Sequence, residues 1–173
     1  SSQSRGLGDV YKRQLVAFMA KQKTNIPSKI IQDIVMDVKN YGQYFRSAGE
    51  FVFNEVKKFS GVVEGYHLLP VDLPFMKDRE YFFRVHSGGY DKKDNVSIVH
   101  WYLINEPEKV QTQNTSKDAI YLNYGAGLWM AEHNDDGEYM LSYRLYLDPY
   151  QLQFFGPLIL SLIHISEPTR LRR

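Results

Sequence analysis

The chain has 173 residues, 21 Lys or Arg against 20 Asp or Glu, and no cysteine. Disulfides and thiol chemistry are therefore excluded, while the redox compartment stays open. The length suits one domain with a real interior, and 13 Tyr and 10 Phe supply large aromatic surface that favours strands and lines apolar interiors.

The two ends read as foreign to any fold. One permitted coding of Asp9-Val10-Tyr11-Lys12-Arg13-Gln14 is GAT GTG TAT AAG AGA CAG; its reverse complement, CTG TCT CTT ATA CAC ATC, encodes Leu160-Ser161-Leu162-Ile163-His164-Ile165. Opposite strands of one DNA element explain such a pair, which resembles the transposon end used to build sequencing libraries. Residues 1–14 and 160–173 are accordingly expected to be adapter-like tails around a domain at residues 15–159. The tails hold six basic residues (Arg5, Lys12, Arg13, Arg170, Arg172, Arg173) and two acidic ones (Asp9, Glu167), so the remainder carries 15 basic and 18 acidic residues and a net charge of −3 instead of +1. A basic surface for nucleic acid or an anionic membrane loses its support. The apolar run at residues 154–165 is shorter than the roughly 20 residues of a spanning helix, so no integral membrane segment is expected.

In chain order, residues 15–20 suit a strand. Pro27 then opens a helix over residues 28–38, where Ile30, Ile31, Ile34, Val35 and Val38 form one stripe. Asn40 and Gly42 interrupt it, and Tyr41, Tyr44 and Phe45 make a short second turn. From residue 50 the period changes to two, with strands expected at 51–59 and 62–69. Residues 71–85 then organise the chain: the end of one strand, a turn at 74–78, and a new strand from Arg79 through residue 87. In that strand Tyr81, Phe83 and Val85 share one face, while Glu80, Arg84 and His86 share a wet one with apolar Phe82 as the exception. Gly88 to Asp94 reads as a hairpin loop, and residues 96–104 as a strand. One long strand is expected over residues 119–131, with Gly125 and Gly127 permitting a bend or a close approach. Asp135-Asp136-Gly137 signals a hairpin turn, after which Tyr139, Leu141, Tyr143, Leu145 and Leu147 alternate with polar residues. The pattern is a strand, a helix pair and six strands in meander order, which favours one antiparallel sheet with the helices on its inner face.

Several stretches then carry a family resemblance. They are Ile26-Pro27-Ser28 with Asp37-Val38-Lys39-Asn40-Tyr41, Val71-Asp72-Leu73-Pro74-Phe75 with Lys77-Asp78-Arg79-Glu80-Tyr81, Gly127-Leu128-Trp129, the Asp136-Gly137 turn, and Tyr143-Arg144-Leu145 leading to Asp148-Pro149. Their order and spacing resemble START-like domains (StAR-related lipid transfer and polyketide cyclase-like proteins). The resemblance implies an α+β helix-grip fold, in which a curved antiparallel sheet of about six to seven strands wraps a long C-terminal helix around an apolar tunnel. Where that helix is expected this chain has residues 150–159 followed by adapter-like sequence, so the gripping helix is expected to be largely missing.

Binding is what the resemblance implies: a lipid or other apolar small molecule as partner, with no cofactor and no nucleic acid, and with transient membrane contact compatible with it. By parity, Tyr81, Phe83, Val85, Trp129, Leu141, Tyr143 and Leu145 are the expected wall of the cavity, and the glycines at 125 and 127 would leave it room; a plainly packed core built of the same residues is the alternative, and the sequence does not separate the two. The alternative is a cyclase- or aromatase-like enzyme in which tyrosines act with His100 or Arg84, although the outward parity of Arg84 counts against it. A third reading is a protein-binding module using outward-facing Phe82, Tyr102, Leu128 and Met130. His67, His86, His100 and His133 have no metal-ligand spacing and read as surface or hydrogen-bonded residues. Asp78 and Arg79 read as a turn pair, together or with Glu80. The sequence shows no Gly-rich phosphate loop, no Ser-His-Asp order and no paired carboxylates at a useful spacing.

Overall fold

The computed structural model describes residues 16–44, 52–70, 77–112 and 118–147, and there the period-two segments are strands and the period-3.6 segment is a helix. In chain order these are β1 (Val16–Thr24), α1 (Ser28–Met36), a 3-10 turn (Val38–Asn40), α2 (Tyr41–Tyr44), β2 (Val52–Phe59), β3 (Val62–Leu69), β4 (Arg79–Asp91), β5 (Val96–Ile104), a second 3-10 segment (Pro107–Thr112), β6 (Ile120–Tyr121), β7 (Gly125–His133) and β8 (Tyr139–Leu147). The expected strand end and turn at 71–76, the strand start at residue 51, the second-turn residue Phe45, the tails and the reading of residues 148–159 as a lost helix fall outside the described residues.

The strands form one open curved sheet in the order β1-β8-β7-β5-β4-β3-β2. All neighbours on this path are antiparallel, as short connections dictate. Because β1 pairs with the last strand, β1 and β2 are consecutive in sequence yet lie at opposite edges of the sheet. The segment between them must cross one whole face, and that segment is the helix pair. Helix α1 accordingly packs on β4, β5 and β7, near mid-sheet.

Pro27 stands at the N-cap of α1 and its carbonyl accepts from the Ile30 and Ile31 amides. Ile31, Ile34 and Val35 face the sheet and are buried, whereas Ile30, expected on the same stripe, is 44% exposed. The helix ends at Met36, and a 3-10 turn carries Val38 back into the interior, completely buried. Ser28 ties the helix start to the β4–β5 hairpin: its hydroxyl donates to the Asn95 carbonyl at 2.7 Å, and Ser97 donates to the Ser28 carbonyl at 2.7 Å.

Three elements differ from the expected pattern. Strand β1 runs on to Thr24, because residues 21–24 still pair with β8. Strand β4 runs on to Asp91, because a bulge at Gly88 between Ser87 and Gly89 absorbs the irregularity and lets pairing with β5 resume. The turn is thus confined to residues 92–95, where Asn95 adopts φ 53°, a left-handed conformation that Asn tolerates. The long strand over residues 119–131 is divided into β6 and β7. Arg79 and Glu80 lie beyond the end of β5, whose pairing with β4 stops at Phe82. Strand β6 takes over that edge in parallel: Ile120 N donates to the Asp78 carbonyl at 2.8 Å and Leu122 N to the Glu80 carbonyl at 2.9 Å.

Candidate functional site on the concave face

The helix-bearing face of the sheet carries one continuous apolar cluster. From the helices come Ile31, Ile34, Val35, Val38 and Tyr41; from the sheet come Val63, Leu69, Val99 and Leu103 with the expected wall residues. All seven of those, Tyr81, Phe83, Val85, Trp129, Leu141, Tyr143 and Leu145, lie in this cluster at 1–7% exposure. Strand parity brings them together: three lie on β4, one on β7 and three on β8, each on alternate positions.

Two glycines set the shape of this wall. A Cβ on Gly65 would lie 2.5 Å from the Phe83 ring and 2.9 Å from Val38, so the ring and the 3-10 turn rest directly on β3. A Cβ on Gly127 would lie 2.3 Å from the indole nitrogen of Trp101. The close approach expected at Gly127 is therefore real, but the indole takes the room that the glycine was expected to leave to a cavity.

Polar groups are set into this apolar surface. His67 is completely buried, its Nδ1 2.6 Å from the Tyr81 hydroxyl and its ring stacked on Phe53 at 3.9 Å. The pair follows from register, since His67 and Tyr81 are directly opposed on β3 and β4. Burial pushes the imidazole down to about 3, so it is neutral at physiological pH. Burial likewise pushes the Tyr41, Tyr81 and Tyr143 hydroxyls well above their ordinary range. Tyr41 donates to the Val35 carbonyl at the end of α1. The Tyr143 ring lies 4.2 Å from that of Trp129. Nearer the hairpins, the Gln32 side-chain amide donates to the Ser87 hydroxyl at 2.6 Å.

His67, Tyr41 and Trp101 were not among the expected wall residues. His67 was legible only as a surface or hydrogen-bonded histidine, and it is the second of these. The signal available in the sequence was its parity with Leu69 and its position across a hairpin from Tyr81.

The opposite, convex face also differs from the expected wet surface. Phe82 is 3% exposed and packs with Tyr66 and Ile104, flanked by Leu68 and Tyr121. Glu80 is buried and accepts from the Tyr66 hydroxyl at 2.8 Å. Arg84 donates to Glu64 through Nε at 2.8 Å and to the Tyr102 hydroxyl at 3.1 Å. The hydrogen bond to Glu64 holds its guanidinium above its usual range. His100 is exposed on this face, stacked on His86 at 4.9 Å. His100 and Arg84 thus stand on the far side of the sheet from the tyrosine cluster and cannot form an acid–base set with it. Phe82 is covered, and Tyr102, Leu128 and Met130 are half-buried, so these four do not make the exposed patch that a protein-binding module would need. The buried Arg79 donates to the Lys77 and Asp78 carbonyls in addition to its place beside Asp78. Among the described residues no group of three His, Asp or Glu is placed to hold a metal ion.

No protein-family model and no curated protein matches the sequence. Solved structures do match in fold. They include human STARD10, with 13% identity over 88% of this chain and a TM-score of 0.63, and a STAR-related lipid transfer protein fragment from Xanthomonas axonopodis, with 12% identity over 89% of this chain and 87% of that one and a TM-score of 0.65. The Zhui aromatase/cyclase of Streptomyces sp. R1128 matches with 11% identity over 87% of this chain and 90% of that one, at a TM-score of 0.58. This chain spans 63% of the length of the STARD10 chain. The described residues adopt the START-like, helix-grip fold.

Proposed function

We propose that this protein binds a lipid or other apolar small molecule on the concave face, between the sheet and the helix pair, with the seven aromatic and aliphatic wall residues in contact with it. One observation carries the reading: a continuous apolar surface that has buried phenols and a neutral imidazole set into it, facing the helices of a START-like fold. Apolar contact contributes about 25 cal/mol for each Å² removed from water, and the few polar groups fix orientation. The fold is shared with lipid transfer proteins, which agrees with this reading. Protein purified from cells and extracted with organic solvent should release a bound apolar species detectable by mass spectrometry; protein that is repeatedly empty would sink the proposal.

The contact between His67 and Tyr81 favours a second reading, an aromatase/cyclase-like enzyme of the kind that shares this fold. The electrostatics oppose it. With His67 pushed down to about 3 and Tyr81 pushed up, a proton passes from phenol to imidazole only against a steep gradient. The pair suits hydrogen bonding better than proton transfer.

No helix among the described residues is long and apolar enough to cross a membrane, and we propose exchange by transient contact with a bilayer. The β2–β3 hairpin suits that contact, because Val56 and Phe59 are exposed beside Lys57 and Lys58. Co-sedimentation with phosphatidylserine vesicles should weaken on Phe59→Ser; unchanged binding would place the contact elsewhere.

A further inference from the structure

We propose that the convex face carries a docking surface for an acidic segment of a partner protein, centred on Arg144 and flanked by Met19 and Tyr146. The surface lies on the other side of the sheet from the apolar cluster, so it stands or falls apart from the binding function proposed above.

Arg144 sits on β8, directly opposed to Met19 on β1 and to Leu128 on β7. Its same-face neighbours along β8 are Ser142 and Tyr146, and the diagonal positions on β1 and β7 hold two alanines, Lys21 and Met130. None of these is acidic. The Ser142 hydroxyl is turned to the Met130 carbonyl at 3.3 Å. Arg144 Nε is buried and has no hydrogen-bond partner, and no ion pair of Arg144 occurs among the described residues. Elsewhere on this face cations are matched, Arg84 by Glu64 and Lys23 by Glu138 at 2.6 Å. A guanidinium keeps its charge and presents its donors as a fixed fork. A carboxylate from outside removes the cost of the unmet Nε–H by accepting from Nε and one Nη together. Met19, unbranched and 59% exposed, can swing aside to admit it.

Charge and composition name the occupant. The centre of the surface is cationic, with Lys21 exposed beside Arg144, whereas Glu132 on β7 stands opposite Met140, four residues along β8. Tyr146 is 42% exposed, and half-buried Leu128 and Met130 form a recessed floor. Arg, Tyr and Met are enriched at the centres of protein interfaces. A partner's side chain can fill such a recess, and a bilayer surface cannot. The hairpin proposed to touch the bilayer includes β2, at the other edge of the sheet. A second copy of this chain fits poorly, because a twofold contact sets Arg144 and Lys21 against themselves. This surface is also distinct from the four outward residues expected along the sequence: its exposed side chains are Met19 and Tyr146, at the margin where β1 is the last strand.

The whole chain, immobilised, is tested against a phage-displayed library of random peptides, and the enriched sequences are resynthesised with fluorescein for anisotropy titration. We expect them to carry Asp or Glu beside an apolar residue and to bind more weakly as salt rises from about 50 mM to about 500 mM. Arg144→Gln should weaken them about tenfold or more. Arg144→Lys, which keeps the charge but loses the fork, should weaken them about threefold or more. Lys21→Glu should cost about threefold, and it reports on the same surface if Arg144→Gln proves unstable. Phe59→Ser, at the other edge of the sheet, should change nothing. Enrichment of peptides without acidic residues, no enrichment at all, or binding that survives both Arg144→Gln and Lys21→Glu would overturn the inference. So would a dimer in sedimentation that Arg144→Gln dissolves, which makes a second copy the occupant, or loss of phosphatidylserine-vesicle binding in Arg144→Gln, which makes it a bilayer. Each of these outcomes leaves the release of an apolar species on solvent extraction, the readout of the concave face, as it was.

Discussion

The two faces of the sheet use the same residue types for opposite ends. On the concave face, aromatic rings gather around polar groups that burial keeps neutral, as at His67 and Tyr81. On the convex face, aromatic hydroxyls serve carboxyl and guanidinium groups: the Tyr66 hydroxyl donates to the Glu80 carboxyl group, and Tyr102 accepts from Arg84 beside Glu64. A phenol is a weak dipole wherever it sits, so what differs is the partner it is given. On the convex face the carboxyl groups are met by partners, Glu80 by the Tyr66 hydroxyl and Glu64 by Arg84, whereas the centre of the concave face, roofed by α1 and the 3-10 turn, holds phenols and an imidazole. A face that tolerates ions is a poor wall for an apolar guest, and the contrast locates the binding surface better than either list of residues does.

The sharpest way to break the contrast is acid. The unfolded chain takes up a proton on His67 near pH 6.5, but the folded chain resists until about 3. The stability contributed by a neutral imidazole is therefore complete above pH 6.5 and is lost as pH falls through that window, by about 1.4 kcal/mol per pH unit. Urea unfolding between pH 7 and pH 4 should show this slope, and His67→Gln should flatten it. An unchanged slope would mean that water reaches the imidazole.

Core truncation comes next. Leu145→Ala on the concave face should cost about 2–5 kcal/mol, and Phe82→Ala on the convex face about 3–5 kcal/mol, by denaturant midpoint. If Phe82→Ala cost under about 1 kcal/mol, the convex cluster would be a surface feature and not a second small core. Gly127→Val, which drives a side chain into Trp101, should cost about 1–3 kcal/mol and shift the tryptophan emission. The smallest effect is expected at the convex ion pair, where Arg84 is partly exposed: Glu64→Gln should cost about 1 kcal/mol. The same change should leave the amount of bound apolar species released on solvent extraction untouched if the two faces are independent.

Much of this fold was legible along the chain. Alternation assigned Tyr81, Phe83 and Val85 to one face and Arg84 and His86 to the other, and the structure keeps that division. The stripe at Ile31, Ile34 and Val35 marked the face that α1 buries, and Asp136-Gly137 marked a turn in which Gly137 adopts φ 80°. Such features are written in contiguous residues, because the periods of helix and strand are local properties of the backbone.

What the alternation left unsettled was which outward residues stay wet. Phe82 and Glu80 have outward parity and are buried nonetheless, because β6 returns from 40 residues further on to lie beside β4, and Tyr121 then donates to the Ile104 carbonyl next to Phe82. The same holds for the polar centre of the concave face. His67 and Tyr81 are 14 residues apart and meet only through the register of β3 against β4. Trp101 lies across β7 because Gly127 leaves its indole room. Local periodicity determined the faces, since each residue's direction depends on its immediate neighbours. Pairing register and the crossing of distant segments decided which groups lose their water, and burial is a property of the assembled layers that no single stretch of sequence possesses.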